Sequence, residues 1–339
     1  MIRYGQEERD NGFIPWQALR DRTVFITGAT GLIGRALTDT LLYGGARVLA
    51  LVRDAERARR QLGRNAARVG LLEGSVEQLP AIPGRVDYII HCACPTGSAF
   101  FVTHPVETID AIVAGTRAAL ELAREKQVRG MVYLSSMEVY GQVLTRQPLP
   151  EDALGRIDLM SARSSYPEGK RLAECLCRAY AEEYRVPVRI ARLAQTFGPG
   201  VEPEDGRVFA YMARCALRGE DIVLQTDGSK ENAYLYTGDA VSAILGLLEK
   251  GEAGEVYNVA NEDTYCSVRE MAEQVAQVIG QGRISVRTGT DSGGGLYPPA
   301  GYLNLSTARL RALGWRPETG LMQMYTRMIE GFGERETAE

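Results

Sequence analysis

The sequence predicts an α/β fold, a doubly wound parallel sheet followed by a smaller C-terminal α/β domain. Three observations predict it. Short, continuously apolar runs of strand length recur between residues 23 and 135, as strands buried on both faces require. Segments long enough for helices alternate with them, the order that builds a parallel sheet. The first run passes into its helix through a turn of regularly spaced glycines.

Residues 1–20 are polar with scattered aromatics, Tyr4, Phe13 and Trp16, and read as an N-terminal extension packed on the body. Thr23 to Thr27 is the first strand, GATGLIG the turn, and a helix runs on to about Tyr43. Gly28, Gly31 and Gly34 give the spacing G-x-x-G-x-x-G. Such glycines allow a tight turn, close approach of the backbone to a pyrophosphate, and close packing of helix on strand. The free N–H groups of the helix start then face the anion. The strand–turn–helix setting makes this spacing a dinucleotide site.

The second strand, Arg47 to Val52, ends in Arg53 and Asp54. An acidic residue ending this strand bonds the adenosine ribose of NAD, whereas an arginine accommodates a 2′-phosphate. Val52 holds the usual acidic place, so Arg53 favours NADP; Asp54 keeps NAD open as the alternative. A third run, Arg85 to Ile90, enters His91-Cys92-Ala93-Cys94-Pro95. A helix near 104–126, a strand from Gly130 to Ser135 and a helix over about 165–184 follow. This divides the chain into a dinucleotide-binding domain over 21–185 and a mainly substrate-binding remainder over 186–339. A strand near 234–237 and its helix, to about 250, are expected to re-enter the first domain. Ser267 to Val278 has the pattern of an amphipathic helix, Gly293-Gly294-Gly295 that of a surface loop, and Cys175 and Cys177 read as packing residues.

Composition excludes several functions. Lys plus Arg number 39 and Asp plus Glu 43, a net charge of -4, which argues against nucleic acid as a partner. No run of about 18 apolar residues offers a membrane span. The start, MIRYGQEERDNGF, has no apolar signal region, so a cytoplasmic location with free cysteines is expected. Two histidines are little material for a metal site. His91, Cys92 and Cys94 lack a second cysteine pair of finger spacing, so no metal is expected.

Tyr166 and Lys170 lie four apart and share one helix face. A phenol of pKa about 10 is a poor base at neutral pH; a neighbouring ammonium and a positive nicotinamide ring stabilise the phenolate. A hydroxyl from Ser136 could hold the substrate oxygen. Together these groups suit the passage of hydride between a carbinol and a nicotinamide.

TGATGLIG, HCACP, HPVETID, AGT, YLSSMEVYG, YPEGKR, ARLAQTFGPG, DGRVF and YNVAN make residues 22 to about 332 resemble the extended short-chain dehydrogenase/reductases. Within these, the chain resembles the NAD-dependent epimerase/dehydratase family, whose sheet is of the Rossmann type. The resemblance implies a catalytic triad of Ser136, Tyr166 and Lys170. It implies NAD(P) held by Gly28, Thr30, Gly31, Leu32, Ile33, Gly34, Arg53, Asp54 and Ala93 together with Tyr166 and Lys170. It also implies a nucleotide-sugar substrate and a homodimer formed through the helices over 104–126 and 165–184.

Glu138 separates branches of that family. Sugar-nucleotide 4,6-dehydratases carry an Asp-Glu pair as acid and base; here Met137 precedes Glu138 and cannot donate a proton. UDP-glucuronate decarboxylases keep only the glutamate, and the chain resembles them further at ACP, EVYG, EGKR, TFGP and DGRV. Glu138 is therefore either catalytic or a satisfied neighbouring carboxylate. Pro95, Gln195, Arg207 and Asn232 fall at the substrate end. Gln195 stands where asparagine is usual, and Asn232 where an arginine usually contacts the diphosphate. A second arginine expected before LNLSTARL is replaced by Gly301 and Tyr302, and Ile112 takes the place of a usual asparagine. Charge-assisted phosphate contacts are the strong ones, so other cations, such as Arg207 or Arg269, would have to replace them. The expected activity is a nucleotide-sugar epimerase working through transient oxidation to a keto-sugar. Decarboxylation of a nucleotide uronic acid, a net NADP-linked reduction and a non-catalytic dinucleotide-binding regulator are the alternatives.

Overall fold

The structure, a computed structural model, describes residues 12–289 and 301–336. Helix α1 (Trp16–Leu19) precedes β1 (Thr23–Thr27), α2 (Leu32–Tyr43), β2 (Arg47–Val52), α3 (Ala55–Leu62), β3 (Val69–Glu73) and β4 (Tyr88–His91). Then come α4 (Ser98–Thr103), α5 (Pro105–Lys126), β5 (Gly130–Ser136), α6 (Ser165–Tyr184) and β6 (Val188–Leu193). The second half contributes β7 (Gln195–Phe197), α7 (Val208–Arg218), β8 (Ile222–Leu224), β9 (Glu231–Tyr236), α8 (Thr237–Lys250) and β10 (Val256–Val259). It ends with β11 (Asn261–Ser267), α9 (Val268–Val278), β12 (Val286–Thr288), β13 (Tyr302–Leu303), α10 (Ala308–Ala312) and α11 (Leu321–Glu336).

Seven strands form the main sheet in the order β10-β6-β5-β4-β1-β2-β3, every pair parallel. The chain runs outward from β1 to β3, then returns to place β4 on the other side of β1. That reversal opens a crevice at the carboxyl ends of β1 and β4, where such sheets bind ligands. β1 is buried along its whole length, which accounts for its unbroken apolar run. β3 escaped the sequence reading because VGLLE mixes a glycine and an acid into a half-exposed strand.

Two strands of the main sheet, β6 and β10, come from beyond residue 185. The strand expected near 234–237 does not join them. As β9 it lies in a second sheet, of order β11-β9-β13 with β7 also pairing β9. The place beside β6 belongs to β10, and both edges of β9 are occupied, by β11 on one side and by β7 and β13 on the other. Only the following helix α8 returns, packing on α2, β5 and β6.

Of the N-terminal arm, Phe13, Ile14 and Leu19 are buried. Phe13 packs so closely on α8 that a Cβ at Gly246 would lie 2.0 Å from its ring. Tyr4 and Gly293-Gly294-Gly295 fall outside the described residues. The amphipathic segment is α9, opened by a capping box in which Ser267 and Glu270 satisfy each other's backbone N–H groups. Cys177 is buried but Cys175 is exposed, because positions two apart lie on nearly opposite sides of a helix. Among the described residues no helix is long and apolar enough to cross a membrane.

Candidate active site

The glycine turn is shaped by what surrounds it. Gly28 has φ +71°, and a Cβ there would lie 2.8 Å from the Ala93 nitrogen. A Cβ at Gly34 would lie 2.1 Å from the Gly28 oxygen. Both positions therefore exclude any side chain. Gly31 is the N-cap of α2 and no side chain caps the helix, so its first-turn N–H groups stay available beside Thr30, Leu32 and Ile33. Thr27 ties this turn to the next strand end: its Oγ1 accepts from Ala93 N at 3.1 Å and bonds His91 Nδ1 at 2.7 Å. His91 Nε2 pairs with Thr116 at 3.3 Å. Burial, and then the charge of Lys170, push His91 down to about 3, so it stays neutral and acts as a clamp. The result is a close-walled cradle at the switch point, which fits the pyrophosphate of a dinucleotide.

At the adenosine end, Asp54 is the N-cap of α3 and its Oδ1 accepts from Arg57 N at 2.8 Å. Arg53 beside it is exposed. The carboxylate that could take a ribose is thus engaged, and the guanidinium that could take a phosphate faces solvent.

β5 carries Ser136 to the carboxyl edge of the sheet, and α6 brings Tyr166 and Lys170 against it. Ser136 acts on the Tyr166 hydroxyl and its Oγ accepts from Glu138 N at 3.2 Å. Phe101 stacks on Tyr166 with centroids 4.2 Å apart and planes 10° apart. Burial holds the phenol well above its ordinary pKa, Cys94 and Glu138 add to this, and Ser136 and Arg163 oppose it. The buried Lys170 donates from Nζ to the Leu134 carbonyl at 2.7 Å. Its charge acts on the Cys94 thiol, and it lies 5.9 Å from the centre of the Tyr166 ring. The lysine thus braces the end of β5 rather than pairing with the phenol.

Glu138 is held in a two-pronged pair by Arg163, with Nη1–Oε2 at 2.9 Å and Nη2–Oε1 at 3.0 Å. Neither side chain is more than 21% exposed, so the pair is shielded from most solvent competition. Met137 is buried beside it. Lys230 lies within electrostatic reach of both; burial and Arg163 bring its ammonium down to about 8, against the pull of Glu138. Arg163, Lys230 and Phe101 were all missed in the sequence. Arg163 carried one signal, its place three before Tyr166, which brings it to the same helix end.

Of the other substrate-end positions, Pro95 lies half-buried in the loop after β4. Gln195 opens β7 with its Cα paired to Tyr234. Asn232 is buried on β9, and its Oδ1 has no hydrogen-bond partner among the described residues. Arg207 is bound to Asp205, Nε–Oδ1 at 3.0 Å and Nη2–Oδ2 at 2.7 Å, so its charge is already matched.

Behind the site runs a buried polar network. Ser135 Oγ donates to Glu174 at 2.5 Å, and Arg192 grips Glu174 through Nε at 2.9 Å and Nη2 at 2.7 Å. Arg192 also reaches the Tyr140 hydroxyl at 3.1 Å, which donates to Asn258 Oδ1 at 2.7 Å. Asn258 sits in the main sheet on β10, so the network ties α6, β5, β6 and β10 together below the catalytic edge.

This geometry has relatives. Residues 24–260 match the NAD dependent epimerase/dehydratase family. UDP-glucuronic acid decarboxylase 3 of Arabidopsis thaliana is 31% identical over 315 residues, covering 91% of this chain and 88% of that protein. UDP-glucuronic acid decarboxylase 1 of Xenopus tropicalis is 28% identical over 312 residues, 92% of this chain and 72% of that one. Among solved structures, the fold matches a UDP-glucose 4-epimerase of Thermotoga maritima with TM-score 0.79 at 24% identity, over 94% of this chain and 100% of that one. It also matches a dTDP-glucose 4,6-dehydratase of Bacillus anthracis solved with NAD, TM-score 0.75 at 21% identity, over 93% and 98%. With its parallel sheet, its glycine cradle and these relatives, the chain is an extended short-chain dehydrogenase/reductase and belongs to the NAD-dependent epimerase/dehydratase family.

Proposed function

We propose that the protein decarboxylates a nucleotide uronic acid by first oxidising the hydroxyl β to the carboxylate. The observation that carries this reading is Glu138 locked onto Arg163 beside Tyr166, with Met137 in the preceding place. A pair of free carboxyl groups for removing water is therefore not on offer. A β-keto acid needs none, because its own carbonyl accepts the electron pair released when the carboxylate leaves. The relatives named UDP-glucuronic acid decarboxylase support the same choice.

The dinucleotide, when bound in the glycine cradle, supplies the hydride acceptor. Tyr166 takes the hydroxyl proton while Ser136 holds the oxygen. The bond from the ring to the carboxylate then breaks, carbon dioxide leaves, and its electron pair forms an enolate on the oxygen held by Ser136 and Tyr166. A proton returned to the ring carbon leaves a ketone, and the hydride, together with the proton held by Tyr166, would then go back to that carbonyl, giving a pentose and leaving the cofactor as it began. Purified protein given UDP-glucuronate labelled in its carboxyl carbon is expected to release the label as carbon dioxide. A product retaining that carbon with an inverted centre would establish the epimerase instead, and stoichiometric consumption of NADPH a reductase.

For the cofactor we propose NADP, on the exposure of Arg53 and the engagement of Asp54 as a helix cap. Arg53→Ala is expected to weaken NADP binding about tenfold or more, the worth of a charge-assisted phosphate contact, with NAD binding unchanged. Titration by intrinsic fluorescence checks it; wild-type protein that binds NAD as tightly as NADP would defeat the assignment. The exposed Ile109 and Leu172 on α5 and α6 line a recess of about 450 Å³ together with Val113 and Arg117. We propose that a second copy of the chain covers this face.

A further inference from the structure

We propose that Lys230 recognises the carboxylate of the sugar substrate. This rests on the uronic-acid reading above. Lys230 immediately precedes β9. Glu231, the next residue, is already engaged: it accepts from Arg146 Nη2 at 2.8 Å and from the Tyr265 hydroxyl at 2.6 Å. Lys230 thus stands at the entry to the strand that carries the buried Asn232.

The charges around Lys230 do not balance without a ligand. Across from it stand Glu138 and Arg163, and Glu138 already receives two charged hydrogen bonds from Arg163. On its own segment, Asp227 is engaged by Ser229 through N and Oγ, and Arg269 adds a further positive charge near Asp227. Among the described residues no ion pair is made by Lys230 itself. Two cations thus share one carboxylate in a largely buried place, and burying an unpaired charge is costly. An anionic ligand group would restore the balance.

The position of the cluster says which group. Glu138 and Arg163 also act on the Tyr166 phenol, so the anion they and Lys230 receive lies near the reacting carbon. In a nucleotide sugar the diphosphate is at the other end of the ring, whereas a C6 carboxylate is adjacent to the oxidised carbon. Because the Lys230 ammonium sits at about 8, its charge is present at neutral pH and fades above that point.

The test uses full-length holoprotein in a Tyr166→Phe background, so that substrates bind without turning over. UDP-glucuronate and UDP-glucose share the nucleotide and diphosphate and differ in the carboxylate. Lys230→Met is expected to weaken UDP-glucuronate about 10- to 100-fold and to leave UDP-glucose unchanged, as loss of one charge-assisted bond would. In protein with Tyr166 intact, KM for UDP-glucuronate should rise above about pH 8, and Lys230→Arg should flatten that rise because a guanidinium does not titrate there. An equal loss for both sugars would put Lys230 on the diphosphate and overturn the proposal, as would no loss for either. Carbon dioxide release that survives Lys230→Met undiminished overturns this inference alone. Selective UDP-glucuronate binding through Lys230 without carbon dioxide release overturns the decarboxylase reading and leaves this one standing.

Discussion

Tyr166→Phe is expected to lower kcat about 10²- to 10⁴-fold, the contribution of one well-placed acid–base group, with the protein folded and its dinucleotide bound. The substitution keeps the ring, and with it the stacking on Phe101 at 4.2 Å. It removes only the hydroxyl, a loss of about 1 kcal/mol or less to stability. A small change in Tm beside a large change in rate separates the chemical role from a structural one; a rate loss under about tenfold would remove Tyr166 as the base. The pH profile gives a second readout. Burial first, then Cys94 and Glu138, hold the phenol protonated beyond its usual range, so turnover needs positive charge nearby. Activity that requires phenolate is lost as pH falls through the phenol's pKa. Lys170→Met removes a cation near the ring, raises that pKa, and should move the acid limb of the profile to higher pH.

What was legible in the sequence is what acts locally. Gly28 and Gly34 are six residues apart and meet within one turn, and Tyr166 and Lys170 within one helical turn, so spacing alone exposes them. Arg163, Glu138 and Lys230 come from three segments separated by 25 and 67 positions in chain order, and nothing in their neighbourhoods announces that they converge. The same limit explains β9. AYLY reads as an apolar strand in either sheet, and its place is decided by β10 filling the position beside β6. Phe101 sits in α4, a six-residue helix too short to leave a helical period. Lys170 illustrates the opposite difficulty. Its position was legible but its partner was not, because it is the backbone carbonyl of Leu134. Spacing finds which residues meet on an element; charge balance across elements, as around Lys230, appears only once the sheets are assembled.

Glu174→Ala should be the most destabilising single change in the catalytic half, about 3–5 kcal/mol by urea unfolding. Its partner Arg192 has a side chain only 5% exposed, so removing the carboxylate strands a guanidinium with no water to receive it. Burial works against that charge, yet the Glu174 pair holds Arg192 above its ordinary pKa. Ser135 Oγ loses its acceptor at the same time. Glu174→Gln keeps hydrogen-bonding capacity and removes the charge, and should fall between wild type and alanine. Replacing Arg192 by methionine in the Glu174→Ala protein should restore much of the loss, because two apolar groups cost less than one buried charge left alone. If the double variant is no more stable than Glu174→Ala, packing rather than charge is what Glu174 provides. The consequence reaches the chemistry through β5. Ser135 directly precedes Ser136 at the end of β5, so its bond to Glu174 steadies the strand end that presents Ser136. Weakening the network should therefore lower kcat of the surviving folded protein without a matching rise in KM, the signature of a catalytic hydroxyl that is present but no longer held in place.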